Sequence, residues 1–482
     1  MRNLKVNALL NMVKTCSGIL FPLITFPYIS HVLMAENIGK INFSATYVNY
    51  FSLIASLGIW LYAIRECAKV KNNPEELEEI ASQIFSINLI TTVVAYVFLG
   101  ISLIIFTNLA TYRELIIIQC TTILFTTLGA DWLNTAMEDF AFITVRTIFF
   151  QVVSLVLMFS FVKTPDDYLI YAGITVLSST GANIVNIFYR KKYCHLKFVL
   201  KMNWKEHFRP ILWMFGMLLT QTIFTSADIT MLGIFKGNYT VGIFTTATKI
   251  VNIISQVVSS LVFVLIPRLS YMFAGDNYDD INEFLSKILA AFIIIGFPIF
   301  LISYLYAPEF IMILAGQDFI PSILLLRIIL FSFLFSLVGG SFLGNVVLLS
   351  SGKEKLFTNI LVITTMFNIV ANYIFIPSYG AQAAALSTVA SSLLMTILLL
   401  LTKDKRIRLN HIKKIFFHPF IGGIGSVLVY LFVGTYIDSI WVKAVLGTIG
   451  SGLAYLILIS LIGNEFIDGI RRRIINRFTK FK

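Results

Sequence analysis

The chain has 482 residues, of which 57% are hydrophobic, 14% aromatic and only 13% charged, with a mean hydropathy of +0.85. A soluble domain carries about 25% charged residues, so this composition excludes a water-soluble globular fold and makes the bilayer the solvent. The formal net charge of +12 resides mostly in loops and one tail, where it marks membrane orientation rather than nucleic-acid binding.

Taken in chain order, fourteen apolar stretches are long enough to cross a bilayer, for which about 20 residues suffice. They run over 8–33, 41–64, 80–106, 113–135, 139–162, 168–189, 209–235, 240–266, 283–306, 321–350, 355–376, 380–402, 413–434 and 440–462. The first is too long for the apolar core of a signal peptide and lacks a small-x-small cleavage site, so it is expected to stay as a membrane helix. None alternates with the period of a barrel strand. The fold class predicted is an all-α integral membrane protein with 14 transmembrane helices.

Orientation follows from lysine and arginine. With a cytoplasmic N-terminus, the inward segments hold 27 of the 37 basic residues. These segments include 189–209, 403–414 and the tail 471–482. The outward loops hold only Lys40, Arg113, Lys163, Lys236 and Lys443. That asymmetry predicts both termini in the cytoplasm and a tail able to rest on anionic headgroups.

The basic loop 190–208 divides the chain. Six spans precede it (1–189), six follow (209–402), then a terminal pair (403–462) and a basic tail (463–482). Six is even, so the halves form a parallel repeat. "GKINFSATYVN" at 39–49 and "GIFTTATKIVN" at 242–252 echo each other at the same place in each half.

No catalytic constellation is present: there is no G-x-S-x-G, Walker loop or H-E-x-x-H, and the outward loops are short apart from 307–320. The four cysteines, Cys16, Cys67, Cys120 and Cys194, are scattered and read as packing residues. The expectation is a transporter without a cofactor, driven by an ion or substrate gradient, with Na+ or H+ as the candidate coupling ion.

The chemistry is then sought among charges inside the spans. Lys14, Arg146, Lys249 and Arg327 are basic, whereas Asp228 is acidic and is the only ionisable group over 211–235. A charge at mid-bilayer costs roughly 2.5–3.5 kcal/mol, so each residue either snorkels or pairs within the bundle, or it lines a wet cavity. The excess of cations points to an anionic passenger, with phosphate or pyrophosphate chemically suitable. Asn368 and Asn372 are four apart, so both amides leave one face of the eleventh span. Thr388 lies in the small-residue run "GAQAAALSTVASS", which permits close helix approach. Asp228, the two amides and the hydroxyl offer oxygen ligands for a small hard cation. Ordinary interhelical hydrogen bonding is the alternative.

Several stretches resemble bacterial polysaccharide flippases of the O-antigen or capsule type. They are 21–66, "DWLNTAMEDFAFITVR" (131–146), "SADITMLGIFKGNYTVGIFTTATKI" (226–250), "VLIPRLSYMF" (264–273) and 344–392. The resemblance implies the multidrug/oligosaccharidyl-lipid/polysaccharide exporter superfamily, with two six-helix bundles around a central cavity and alternating access. It implies translocation of an undecaprenyl-pyrophosphate-linked oligosaccharide from the inner to the outer leaflet of the bacterial cytoplasmic membrane. Partners would be membrane lipids and the polymerase and glycosyltransferases of the same pathway. A more local similarity to lipid II flippases implies that Lys249 takes the place of a cavity arginine. It also implies that Asp228, Asn368, Asn372 and Thr388 fall at a sodium site. Asn372 stands where a second acid is typical there, and Pro27-Tyr28 near an Arg-Asp pair, which leaves Lys14 as the first-span cation. Rival functions are a drug or cation exporter of the same fold, which should carry acids in its cavity, and a membrane glycan polymerase or acyltransferase, which should carry a large outward loop.

Overall fold

The structure, a computed structural model, describes residues 4–200, 204–275 and 277–463. The tail beyond 463 and part of the basic linker, 201–203, lie outside the described residues. The described chain is predominantly helical, and the helices run α1 (Leu4–Ser56), α2 (Ile59–Lys69), α3 (Pro74–Ile105), α4 (Arg113–Gly129), α5 (Asp131–Ala136), α6 (Phe140–Phe161), α7 (Tyr168–Tyr189), α8 (Trp204–Lys236), α9 (Asn238–Ala274), α10 (Tyr278–Leu305), α11 (Ala307–Leu314), α12 (Ser322–Ser336), α13 (Glu354–Tyr379), α14 (Ala381–Leu401), α15 (Ile412–Tyr436) and α16 (Ile440–Leu461). Between α12 and α13 the winding widens to a π-helix over Leu337–Leu349.

Eleven helical stretches among the described residues are long and apolar enough to cross a membrane, and the chain is a multi-pass membrane protein. The first of them, Met12–Lys69, holds two predicted spans, separated where Met34 takes φ 62 and ψ 172. Residues 113–135 are interrupted at Ala130, which adopts a left-handed conformation at φ 47, so α4 is only 17 residues long. Residues 240–266 fall on α9, a 37-residue helix.

The chain packs as two compact units, Met1–Gly242 and Ile243–Lys482. The first therefore runs one helix past the basic linker used above as the divider, because α8 is joined to the helices before it. At its start the Tyr62 hydroxyl is 2.7 Å from Nδ1 of His207, and His207 Nε2 is 3.1 Å from Gln83 Oε1. The amide oxygen only accepts, so Nε2 carries the proton and Nδ1 receives the tyrosine hydroxyl. Midway, Tyr50 on α1 hydrogen-bonds Thr230 at 2.8 Å. Beyond its end, Asn238 accepts from the Tyr112 hydroxyl at 2.5 Å and donates to Glu36 at 2.9 Å. Two glycines then allow backbone to meet backbone. A Cβ on Gly39 would overlap the carbonyl of Asn238, and one on Gly242 would overlap the carbonyl of Ala35. The core of this unit gathers Ile59, Tyr62, Leu77, Ile84, Trp132 and Leu133.

In the second unit α10 packs on α12 and α15, α13 on α14, and α15 on α16. The last pair approaches closely because Gly422 and Gly425 face Tyr455 and Leu458. It is stitched by Ser426 and Ser451, each hydroxyl donating to the other's carbonyl at 3.0 and 3.2 Å.

One device recurs in both units. In the first, an extended strap lies along α3, with the Lys197 amide donating to Ser82 Oγ at 3.2 Å and the Val199 amide to Ser86 Oγ at 2.8 Å. In the second, the Arg408 amide donates to Asn282 Oδ1 at 2.9 Å and the Asn410 amide to Ser286 Oγ at 2.8 Å along α10. Both straps follow the sixth predicted helix of their half and use acceptors four residues apart, on one face of the helix they lie along. Beside the second strap, Arg406 and then Lys353 hydrogen-bond Asp404 and hold its carboxyl below the usual carboxylate range.

Gly39→Val should lower thermal stability in detergent by about 1–3 kcal/mol through overpacking. Gly216→Ala, whose Cβ would meet nothing within 4 Å, should be neutral or stabilising. Thermal denaturation followed by size-exclusion chromatography compares them, and equal effects would refute the close approach at Gly39.

Candidate functional site

In the first unit, two of the predicted cations come together. Arg146 lies on the second turn of α6 and is 5% exposed. Its Nη2 is ion-paired with Asp131 Oδ1, and its Nη1 donates to the Ala182 carbonyl at 3.0 Å. The guanidinium carbon stands 5.2 Å from the Phe142 ring centre, and Phe142 stacks on Tyr189 at 3.4 Å. Arg146 Nε is buried and meets no acceptor among the described residues. Lys14, half-buried on α1, is close enough to Arg146 for the two like charges to repel. Thr144 donates to the Leu10 carbonyl at 3.1 Å and so pins α1 against α6 beside them. Asp131 thus answers Arg146, and Lys14 adds a second positive charge beside that pair.

Asp131 was not among the predicted site residues. Its side chain is 27% exposed, and it opens α5 directly after the left-handed Ala130. The signal was available in hindsight: the stretch "DWLNTAMEDFAFITVR" begins with Asp131 and ends with Arg146. The residues between them are fastened separately. Trp132 enters the core, Asn134 donates to Asn186 Oδ1 at 2.5 Å, and Asp139 accepts the Tyr189 and Tyr193 hydroxyls at 2.7 and 2.6 Å.

Asp228 also belongs to the first unit. It is 6% exposed on α8 and within electrostatic reach of the Tyr50 hydroxyl. Tyr50 is a second residue that the sequence reading missed, because a tyrosine among 20 carries no spacing signal.

The remaining predicted residues lie in the second unit. Lys249 is half-buried on α9, just after the buried Thr245, Thr246 and Ala247. Arg327 on α12 donates from Nε to the Tyr304 carbonyl at 3.2 Å and lies over that ring at 5.4 Å. A cation there meets the negative end of α10. Asn368 and Asn372 on α13 are 1% and 0% exposed, with Asn372 Nδ2 donating to Asn368 Oδ1 at 3.1 Å. Thr388 on the neighbouring α14 donates to the Ala384 carbonyl at 2.9 Å. Thr364, also buried, extends the asparagine stripe by one turn. Among the described residues no three His, Cys, Asp or Glu side chains converge on a metal-sized point.

Arg146→Gln should leave Asp131 without its cation and lower stability by about 3 kcal/mol, the low end for a broken buried pair. Asp131→Asn added to it should recover part of that loss, so the two effects are non-additive. Thermal denaturation of both single variants and the double variant measures this, and strict additivity would refute the pair.

Residues 4–273 match the family of polysaccharide biosynthesis proteins. An assigned O-antigen transporter of Escherichia coli (strain K12) is 22% identical over 405 residues, covering 83% of this chain and 96% of that protein. The capsular polysaccharide biosynthesis protein CapF of Staphylococcus aureus is 25% identical over 161 residues, covering 33% of this chain and 40% of CapF. Among solved structures, the lipid II flippase MurJ in an inward closed conformation superposes with a TM-score of 0.73 at 15% identity, covering 95% of this chain and 98% of MurJ; that likeness is one of fold. The family match spans more than half of the sequence, and the chain belongs to the polysaccharide biosynthesis protein family.

Proposed function

We propose that this protein is a flippase that moves undecaprenyl-pyrophosphate-linked oligosaccharide units from the inner to the outer leaflet of the bacterial cytoplasmic membrane. The observation that carries the reading is the half-buried Lys14 beside the buried Arg146, which is ion-paired with Asp131, within a chain of the polysaccharide biosynthesis family. A pyrophosphate supplies the negative charge that this arrangement lacks. Relatives named for O-antigen transport and capsule biosynthesis support a lipid-linked glycan as cargo. The reading takes fourteen spans, both termini cytoplasmic, and alternating access coupled to an ion gradient. Lys249 and Arg327 are assigned as further contacts for the anionic headgroup. Asp228 in the first unit, and Asn368, Asn372 and Thr388 in the second, are assigned to sodium coupling, because carboxylate, amide and hydroxyl oxygens suit a hard cation. Polymerase and glycosyltransferases of the pathway are the partners this reading implies.

The competing reading, a drug or cation exporter, is disfavoured by the same observation. A cation would meet repulsion from Lys14 and Arg146.

Purified protein in liposomes should move a fluorescent lipid-linked oligosaccharide across the bilayer, as measured by quenching from outside. Lys249→Ala should slow that movement about tenfold or more, corresponding to loss of a charged contact worth 1.4 kcal/mol or more. Movement of a cationic dye with none of the glycan lipid would refute the assignment. Asp228→Asn should abolish any acceleration by an imposed sodium gradient. A sodium response equal to wild type would remove Asp228 from the coupling site.

A further inference from the structure

The Arg146 fork is used incompletely. A carboxylate bound side-on to a guanidinium takes two parallel N–H bonds, yet Asp131 engages Nη2 while Nε stays buried without an acceptor. Nη1 is committed to the Ala182 carbonyl, so the open donor edge runs across Nε and Nη2, and Lys14 is within electrostatic reach of the same guanidinium. That edge suits a tetrahedral oxyanion, which reaches two donors and leaves further oxygens for a second cation. Asp131 is on the accessible side of the pair, at 27% exposure against 5% for Arg146.

The segment that carries Asp131 is flanked by backbone outside its ordinary preference. α5 has six residues and is bracketed by two non-glycine residues with positive φ, Ala130 at 47° and Glu138 at 59°. Such backbone is sparsely populated and is held by its surroundings. Those surroundings are other helices. Trp132 packs in a core with Ile59 of α2 and Leu77 of α3, and Asn134 is bonded to Asn186 of α7. The segment of Asp131 is therefore in contact with α2, α3 and α7.

We propose that Asp131 is a built-in placeholder for the anionic headgroup. In the absence of substrate it neutralises Arg146. An arriving phosphate or pyrophosphate oxyanion displaces it, takes Nε and Nη2 of Arg146 with Lys14 as the second cation, and releases α5 to reposition. Substrate arrival is thereby converted into movement at one end of the first unit. The proposal rests on the anionic lipid-linked substrate proposed above, and it adds a residue that responds to that substrate.

The test uses the full-length protein in neutral-lipid nanodiscs with three probes: a polyprenyl pyrophosphate, the matching polyprenol and inorganic pyrophosphate. Wild type should prefer the polyprenyl pyrophosphate to the polyprenol, and Arg146→Gln should lose that preference. Asp131→Asn should bind the polyprenyl pyrophosphate about fivefold or more tighter, the lower end of typical coupling between linked events. In wild type, amide exchange over 131–139 should quicken with the polyprenyl pyrophosphate and not with the polyprenol. This measurement decides the matter if Asp131→Asn does not fold. Unchanged affinity in Asp131→Asn together with unchanged exchange in wild type, while Arg146→Gln still loses the preference, would overturn displacement and leave the headgroup site standing. No preference for the pyrophosphate in wild type would overturn both. A full response to inorganic pyrophosphate alone would overturn the lipid-linked source.

Discussion

A guanidinium cannot be left bare in a low-dielectric interior, and the arrangement around Arg146 follows from that constraint. Its removal from water is tolerable only with a carboxylate and hydrogen bonds at hand. Asp131 supplies the carboxylate and Ala182 a carbonyl. To bring Asp131 round, the chain leaves α4 through a left-handed alanine, makes one short helical segment and enters α6. The side chains of that segment then face different neighbours, which ties α2, α3, α6 and α7 together at one end of the first unit. The charge pair and the packing of four helices are one problem solved together.

Composition and lysine/arginine placement made the membrane class legible, and every predicted apolar stretch with described residues falls on helix. What the sequence did not reveal has a common cause. Met34, Ala130 and Glu138 take positive φ without being glycine, and residues that prefer ordinary helix give no local warning of a break. Arg146 stood out as a charge among apolar neighbours, but its partner sits fifteen residues earlier at a helix start, where an acid is unremarkable. The pairing of Asn368 with Asn372 was readable because helical spacing alone brings them together. Tyr50 beside Thr230 was not, because their meeting depends on tertiary packing.

Comparison of the two units illustrates the same division. A short sequence echo at 39–49 and 242–252 hinted at duplication, whereas the clearer likeness lies in the two straps. Ser82 and Asn282 perform the same task with different side chains, so comparing letters misses what comparing acceptors finds.

The straps have one more consequence. Their rungs grip the main-chain N–H groups of Lys197, Val199, Arg408 and Asn410, so the rungs themselves do not depend on those four side chains. Lys197 and Arg408 can therefore be basic without costing a rung, and the residues that fasten each unit also carry positive charge. Fastening and charge are thus carried by the same few residues without competing, because one is addressed to the backbone and the other to the side chains.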